Sequence, residues 1–271
     1  MKETPDRETP WPPILRVKDT EAPSVFTPEA LLREARRQKN APAGDVPEIC
    51  VLDPDGDIVD YLRSHGLATR LAAWACYHTD LYVFDRGALR CGVVGSAVGA
   101  PFAVLVAEQL FASGCRLLLS VTSAGQIAPV RSPPYFIVID RALRDEGTSY
   151  HYLPPSDYSH AEPRLVDLAR QALSEAGVAA EVGATWTTDA PFRETEAAIA
   201  SARSKGILAV EMEAAALYAF AAARSRSVLC FAHVTNQMAQ AEGDFEKGEA
   251  SGALASLKLV QAVARAWLAN V

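Results

Sequence analysis

Two acidic residues interrupt an apolar part of the chain in the stretch Val210-Glu211-Met212-Glu213-Ala214-Ala215-Ala216. Residues 208–210 have the character of a buried strand, and a long helical pattern begins at Glu211. A helix start is enough to explain Glu211, because a carboxylate there offsets the helix dipole. Glu213 needs another reason, since a buried carboxylate is costly unless it is hydrogen-bonded or has a task. It could accept hydrogen bonds from a pair of sugar hydroxyls.

Strand-to-helix alternation recurs on both sides of this stretch. Strands are predicted over residues 48–52, 92–94, 116–121, 135–140, 182–187, 208–210 and 227–234, and helices over residues 58–63, 101–112, 163–176, 194–204 and 251–268. This alternation predicts the α/β class, with a three-layer α/β/α arrangement around a mixed, mostly parallel central sheet. Ligands bind at the carboxyl ends of strands in such sheets. The polar residues at those ends are Asp53, Asp55, Asp57, Ser96, Thr122, Ser123, Thr187, Thr188, Asp189, Glu211, Glu213, Thr235 and Asn236.

The composition is that of a globular protein with a small-molecule partner. The chain has 271 residues, of which 49% are hydrophobic, so it suits one large α/β domain and excludes a mainly disordered chain. Its net charge is -7, which is the opposite of the basic field that usually grips phosphate backbones. No polybasic segment matches an anionic membrane surface. We therefore expect no nucleic-acid partner and no membrane partner.

The cysteine pattern and the N-terminus indicate a cytoplasmic protein. The number of cysteines is odd and none has zinc-ligand spacing, which favours buried free thiols and predicts no metal site. The N-terminus is charged and proline-rich, unlike a signal peptide, and no apolar run is long enough to span a bilayer. The cysteines are Cys50, Cys76, Cys91, Cys115 and Cys230.

Two regions are predicted along the chain. Residues 1–45 form an arm and a helix, and residues 46–271 form the main domain. The first 25 residues are rich in proline and read as extended. The following helix has Thr27 as its N-cap and Asn40 as its closing residue.

Common nucleotide and hydrolase motifs are missing. Gly92, Gly95 and Gly99 do not have GxGxxG spacing, and the chain has neither a Walker A sequence nor a GxSxG elbow. The aspartates at 53, 55 and 57 do not continue as a calcium loop.

Five segments, taken in order, resemble the nucleoside phosphorylase superfamily. That family includes uridine phosphorylases, hexameric purine phosphorylases and methylthioadenosine/adenosylhomocysteine nucleosidases. The run from Val210 to Ala215 is similar to its ribose-binding signature, and together the segments span residues 48–268. The other four segments are Ala97-Val98-Gly99-Ala100-Pro101, Thr122-Ser123-Ala124-Gly125-Gln126-Ile127-Ala128-Pro129, Thr187-Thr188-Asp189-Ala190-Pro191-Phe192 and His233-Val234-Thr235-Asn236.

The resemblance implies a nucleoside phosphorylase-type fold and a nucleoside site. Glu213 would hold the ribose 2′- and 3′-hydroxyls and stabilise positive charge on the sugar, and Met212 would pack on the sugar. Phe192 would stack on the base. Arg193 would hydrogen-bond a base carbonyl or form an ion pair with Glu194 or Glu196. The other substrate-binding candidates are Ser96, Thr122, Ser123, Gly125, Glu211 and His233, the last of which also reads as a core histidine.

The family's phosphate-binding arginines are absent from the aligned positions. Those positions fall on Asp57, Thr79 and Ser120, so a phosphate dianion would meet repulsion. In the nucleosidase branch a Glu at the position of Asp57 activates the attacking water. Asp57 is therefore either a general base or a cap for the helix that begins at Ile58.

Asn236 is the second departure. Adenine-releasing members carry an Asp there, which protonates the purine N7. Asn cannot donate a net proton, but it can hydrogen-bond a keto group or a ring nitrogen. This favours uracil or a 6-oxopurine as the leaving base.

The sequence thus predicts an enzyme that hydrolyses the N-glycosidic bond of a nucleoside, with Asp57, Glu213 and Asn236 as catalytic residues. One alternative is a phosphate-dependent, uridine-like nucleoside phosphorylase, for which phosphate would be the co-substrate. Another is a non-catalytic nucleoside-binding or storage protein. No cofactor is implied otherwise. A homodimer or higher homo-oligomer is expected, because family sites borrow residues across the subunit interface.

Overall fold

The computed structural model describes residues 11–16, 18–238 and 242–270. Seven α-helices are described: α1 (Pro28–Lys39), α2 (Asp57–Ser64), α3 (Ala100–Ala112), α4 (Pro163–Glu175), α5 (Glu196–Ser204), α6 (Ala214–Arg224) and α7 (Ala253–Leu268). Ten strands are described: β1 (Ile49–Asp53), β2 (Ala68–Arg70), β3 (Tyr82–Arg86), β4 (Leu89–Gly95), β5 (Leu117–Gln126), β6 (Tyr135–Asp145), β7 (Tyr158–His160), β8 (Ala180–Thr188), β9 (Ile207–Glu211) and β10 (Ser227–Asn236). No helix in these ranges is long and apolar enough to cross a membrane.

All ten strands belong to one mixed sheet. Its order is β10-β6-β8-β9-β5-β1-β4-β3-β2, and β7 pairs with β6. The pairings of β1 with β4 and β5, of β5 with β10, and of β8 with β6 and β9 are parallel. Helices α1, α3 and α6 form one packed group, and helices α2, α4 and α7 form a second, separate group. The predicted three-layer α/β class is therefore confirmed.

The sheet closes on itself at one end, which the sequence did not predict. Strand β10 pairs with both β6 and β5, so that β5, β9, β8, β6 and β10 form a ring of five strands. Alternation of strands and helices gives the class of a fold but not its strand order, because ring closure depends on pairing between distant segments.

Strand β5 changes neighbours along its length. Residues 117–120 pair with β1, whereas Gly125 and Gln126 pair with β9. Strand β10 continues along the other side of β5 throughout. Between the two pairings, residues 121–124 have a neighbouring strand on one side only, within the part of the chain described. The sheet therefore has a gap between β1 and β9, beside residues 121–124 and at the carboxyl end of β1. We call this gap the cleft.

Helix α6 is buried along most of its length, which fits its alanine-rich sequence. Residues 214–220 are all buried, and small side chains let the helix approach the sheet closely. The hydroxyl of Tyr218 donates to the carbonyl of Ile139 at 2.6 Å and accepts from the amide of Cys230 at 3.0 Å. This packing fixes the helix that follows Glu213. All five cysteines are buried free thiols.

The chain preceding the main sheet packs onto α3. Thr27 caps α1 as predicted, because its Oγ1 accepts the amide of Ala30, and Asn40 ends the helix in the left-handed conformation. Leu32 and Ala35 are the buried face of α1, packed with Ala112. A short 3-10 helix, Pro13–Leu15, lies before it. The predicted arm over the first 25 residues falls partly outside the described residues, since 1–10 and 17 are not among them.

Candidate functional site

The Glu213 carboxylate lies buried at the floor of the cleft with one oxygen unpaired. Its Oε1 accepts the amide of Gly99 at 2.7 Å, whereas Oε2 has no hydrogen-bond partner among the described residues. Burial, together with the charge of Glu211, raises the pKa of Glu213 to about 8. An unpaired buried oxygen is costly and marks a place where a ligand donor would fit.

Glu211 has a different role, in which both oxygens are fully used. Its Oε1 accepts the hydroxyls of Thr185 (3.1 Å) and Thr187, and its Oε2 accepts the amides of Glu213 and Ala214 at 2.7 Å each. The substrate contact expected at Glu211 stays a prediction, and the contacts of Glu211 in the structure are structural. It is the last residue of β9 and holds the start of α6, so the helix begins at Ala214 rather than at Glu211.

Three aspartates follow β1, and each contacts a different group. Asp53 is buried, and its Oδ2 accepts the amide of Val59 at 3.0 Å. Burial raises the pKa of Asp53 to about 7, although this hydrogen bond opposes the rise. Asp55 Oδ2 accepts the amide of Ser123 at 2.8 Å. This amide belongs to the part of β5 where β1 and β9 have separated, so Asp55 reaches across the cleft.

Asp57 lies in the first turn of α2 and forms an ion pair with Lys247. The Nζ of Lys247 is 2.5 Å from Asp57 Oδ2, and both side chains are about three-quarters buried. The alternative that Asp57 merely caps the helix is wrong. The N-cap is Gly56, which has no side chain, and the free amide of Val59 is taken by Asp53. Asp57 Oδ1 makes no hydrogen bond with the described residues.

The ends of β4 and β5 bring further predicted residues to the cleft. Ser96 follows β4 in the left-handed region (φ 59°), and its amide donates to the carbonyl of Asp53 at 3.0 Å. A non-glycine residue there is strained, which is common at functional sites. Thr122 is buried and its hydroxyl donates to the carbonyl of Ser123 at 3.4 Å, while Ser123 is half-buried. Met212 is half-buried between the two glutamates.

The carboxyl end of β10 carries His233 and Asn236. The His233 ring stacks on Phe136 with centroids 4.5 Å apart, and burial lowers its pKa to about 4, so the ring is neutral. Asn236 accepts the amide of Met238 at 2.9 Å and donates to Thr235 Oγ1 at 3.2 Å. Its side-chain amide thus orders the turn at the strand end.

Gly125 lies where β5 passes this turn. A Cβ on Gly125 would lie 2.5 Å from the sulfur of Met238 and 3.4 Å from Asn236 Oδ1. Its backbone thus closely approaches the Asn236 turn, and the substrate contact expected at Gly125 stays a prediction.

Phe192 and Arg193 lie at the surface, on the 3-10 helix Pro191–Arg193. Phe192 is 99% exposed, so its ring is not covered by any of the residues that the structure describes. Arg193 forms no ion pair with Glu194 or Glu196 in the ranges described. The structure therefore does not bring this pair into the cleft, in contrast to the roles that the resemblance implies.

Two polar groups of the cleft were missed by sequence reasoning. Asp55 is predicted only as a strand-end residue without a role, and Lys247 is not among the predicted site residues. The signal was the run of three alternating aspartates, which needs a cation nearby. Although these carboxylates lie together, no three His, Cys, Asp or Glu side chains in the described ranges are arranged to hold a metal ion.

Comparison with known families now defines the class of protein. The family model described as the phosphorylase superfamily matches residues 48–266, and the chain belongs to this family. The membership confirms the predicted enzyme class, a nucleoside phosphorylase or nucleosidase.

Individual relatives are distant. The chain is similar to a purine nucleoside phosphorylase DeoD-type of Limosilactobacillus reuteri (strain DSM 20016), with 26% identity over 68% of this chain and 78% of the relative. A purine nucleoside phosphorylase DeoD-type of Bacillus cereus is 30% identical over 49% of this chain and 57% of the relative. An uncharacterized protein of Acanthamoeba polyphaga mimivirus is 26% identical over 56% of this chain and 59% of that protein.

Proposed function

We propose that this protein cleaves the N-glycosidic bond of a nucleoside with water rather than phosphate as the nucleophile. The observation that carries the proposal is the hydrogen bond from the Ser123 amide to the Asp55 carboxylate, at 2.8 Å. A backbone N–H at the mouth of a cleft is a typical donor for a phosphate oxygen. Here a carboxylate of the chain itself already occupies it.

The surrounding charges support the same conclusion. A phosphate dianion at Ser123 would lie near the carboxylates of Asp53, Asp55 and Asp57, and like charges at such distances repel strongly. Lys247 is the cation that reaches this group, and its ammonium is already paired with Asp57. A neutral water molecule meets no such penalty.

The sugar would bind at Glu213. Its unpaired Oε2 can pair with a ribose hydroxyl, while the amide of Gly99 holds Oε1 in place. Met212, between the glutamates, would pack on the ribose. As the glycosidic bond breaks, positive charge develops on the sugar, and an ionised carboxylate beneath it lowers the energy of that transition state.

Asp57 would activate the water. Its Oδ2 is fixed by Lys247, so the free Oδ1 can take the proton from a water molecule that attacks the anomeric carbon. Asn236 would hydrogen-bond the departing base through its amide N–H groups. Because an amide supplies no net proton, a base that tolerates negative charge on oxygen, uracil or a 6-oxopurine, is the favoured leaving group.

Phosphate dependence is the decisive test. The purified protein is incubated with a panel of purine and pyrimidine nucleosides, with and without phosphate, and free base is followed by chromatography. Equal release in both buffers supports hydrolysis. Release only with phosphate would favour a phosphorylase, the activity in the printed names of the relatives. No release from any nucleoside would favour the binding-protein alternative.

A variant pair tests the role of Asp57. Asp57→Ala should lose at least about a hundredfold in turnover, within the usual contribution of a general base, while nucleoside binding measured by calorimetry changes little. Asp60→Ala, at an exposed position of the same helix, is the matched control. Unchanged turnover in Asp57→Ala would remove this residue from the mechanism.

The assembly and the location of the protein are part of the proposal. We infer a homo-oligomer in the cytoplasm, in which another copy of the chain packs over the fully exposed Phe192 and shields it from solvent. Sedimentation of the purified protein tests the first point.

A further inference from the structure

We propose that Lys247 is a positioning residue for the reaction, because its ammonium holds Asp57 in place and offsets the negative charge of the carboxylates that face the cleft. The inference rests on the proposed function, in which Asp57 activates water. It begins from the ion pair between Lys247 Nζ and Asp57 Oδ2, which joins two segments far apart in the sequence.

The segment that carries Lys247 is fixed to the end of β10. The amide of Glu246 donates to the carbonyl of Thr235 at 2.8 Å, and both carboxylate oxygens of Asp244 accept the amide of Gln237 at 3.0 Å. These contacts lie next to Asn236. Lys247 is therefore placed by the same strand end that would hold the base.

A close backbone approach on the other side of Lys247 limits its freedom. Gly252 has a positive φ of 81°, and a Cβ there would lie 2.3 Å from His233 Cε1 and 2.7 Å from the carbonyl oxygen of Lys247. The turn Glu249–Gly252 also packs against α2, which begins with Asp57. The Lys247 backbone is thus held between His233 and the helix that carries its ionic partner.

The electrostatic surroundings of Lys247 are mostly acidic. Burial lowers its pKa, but the hydrogen bond to Asp57 and the charges of Asp55 and Asp53 raise it more, so Lys247 remains charged. The titratable groups around it are Asp53 of β1, Asp55 of the following turn, Asp57 of α2 and His233 of β10.

A geometric consequence follows for the water. A carboxylate in solution rotates freely, whereas Asp57 has one oxygen bound to Lys247 and the other directed away from it. The ion pair therefore orients one basic oxygen. Orientation of a reacting group contributes to rate without strengthening substrate binding.

The experiment compares kcat and KM of the wild type with those of Lys247→Met and Lys247→Arg. In Lys247→Met, kcat should fall roughly tenfold with KM nearly unchanged, because Asp57 loses the contact that orients its free oxygen. Lys247→Arg should restore most of the loss. Lys258→Met, at an exposed position of α7, is the control for removal of a lysine.

A double variant shows whether Lys247 acts through Asp57. If it does, Lys247→Met combined with Asp57→Asn is no slower than Asp57→Asn alone. An unchanged kcat in Lys247→Met, a change confined to KM, or additive losses in the double variant would each overturn the proposal. Thermal unfolding of each variant is recorded, and Lys247→Gln replaces Lys247→Met if the latter does not fold.

The two proposals fail in different ways. Wild-type release that requires phosphate overturns hydrolysis alone, since kcat in Lys247→Met and in the double variant still reports whether the ion pair matters for turnover. A wild type that releases no base in either buffer overturns both.

Discussion

Glu213 combines deep burial with a single hydrogen bond, and this predicts a proton release on ligand binding. Its pKa of about 8 means that the free site is mostly protonated at neutral pH. Hydroxyls that donate to the carboxylate favour its ionised form, so a bound nucleoside should lower the pKa. We expect up to about one proton to leave per site at pH 7.

Calorimetry in buffers of different ionisation enthalpy measures this release. The apparent binding enthalpy should change with the buffer in the wild type but not in Glu213→Gln, which should also bind the nucleoside more weakly. Proton uptake, or equal buffer dependence in both proteins, would contradict the assignment of Glu213 to the ribose hydroxyls.

Removal of the Asp55 side chain should make phosphate a better nucleophile for this enzyme. Asp55→Ala frees the Ser123 amide and removes one negative charge from the cleft. A unit charge within a few ångströms of a bound anion is worth on the order of 1 kcal/mol, so phosphate affinity should rise roughly fivefold. Phosphate titrations of base release, with Asp60→Ala as the control, should show stimulation in Asp55→Ala only. Equal responses would contradict the view that Asp55 occupies an anion position.

At the scale of secondary structure, the junction of β9 and α6 depends on Glu211. Replacing it in Glu211→Gln turns one acceptor oxygen into a donor that faces the amides of Glu213 and Ala214 or the threonine hydroxyls. Opposed donors in a buried place should lower the free energy of unfolding by about 1–3 kcal/mol. Urea denaturation measures the loss, and Glu196→Gln, exposed in the first turn of α5, should change it little. A stable Glu211→Gln with a raised KM would instead return Glu211 to the substrate.

The same junction shows what sequence could and could not predict. The apolar segment before Glu211 and the alanine-rich helix after it follow from hydrophobic patterning alone. The helix start at Ala214 does not, because it depends on hydroxyls of Thr185 and Thr187 in β8. Likewise the short strands β2, β3 and β7 have no strong pattern, and their pairing with neighbours decides them.

The candidate site also contains features that the sequence could predict and features that it could not. Glu213 and Asp57 were predicted as candidates from residue type and resemblance, and both lie in the cleft. The contact between Asp57 and Lys247 was not predicted, because it joins segments separated by most of the chain. Phe192 was expected on the base but is exposed, and no surface within the described residues covers it.

At the scale of the whole molecule, buried carboxyls predict a stability that falls as pH rises. Burial raises the pKa values of Asp53 to about 7 and of Glu213 to about 8. A folded-state pKa above the unfolded value stabilises the fold below the unfolded pKa, and this contribution is lost as pH rises through the folded pKa. His233 acts oppositely, since its lowered pKa costs stability only when pH falls through 6.5 toward 4.

Above pH 6.5 the effect of His233 is absent, and the buried thiols, whose pKa values burial raises, add to the fall only as pH approaches their ordinary value of 9.0. The pH range from 6.5 to 8 therefore isolates the carboxyl effect. We expect Tm to fall by roughly 2–4 °C over this range, which corresponds to a loss of about 1–2 kcal/mol in a protein of this size. Differential scanning calorimetry measures the fall, and Glu213→Gln should show less of it. A Tm that rises with pH would mean that these carboxyls are ionised in the free protein.

The closed ring of strands determines when the cleft can exist during synthesis. Leu117 in β5 pairs with Ser227 in β10, so the central strand lacks one neighbour until residue 227 leaves the ribosome. Until then β5 and β6 present open edges, which are templates for association with other chains. Lys247 emerges later still. The complete cleft therefore cannot form before residue 247 has been synthesised, and a ribosome that stalls before residue 227 leaves an aggregation-prone fragment instead of a partly active one.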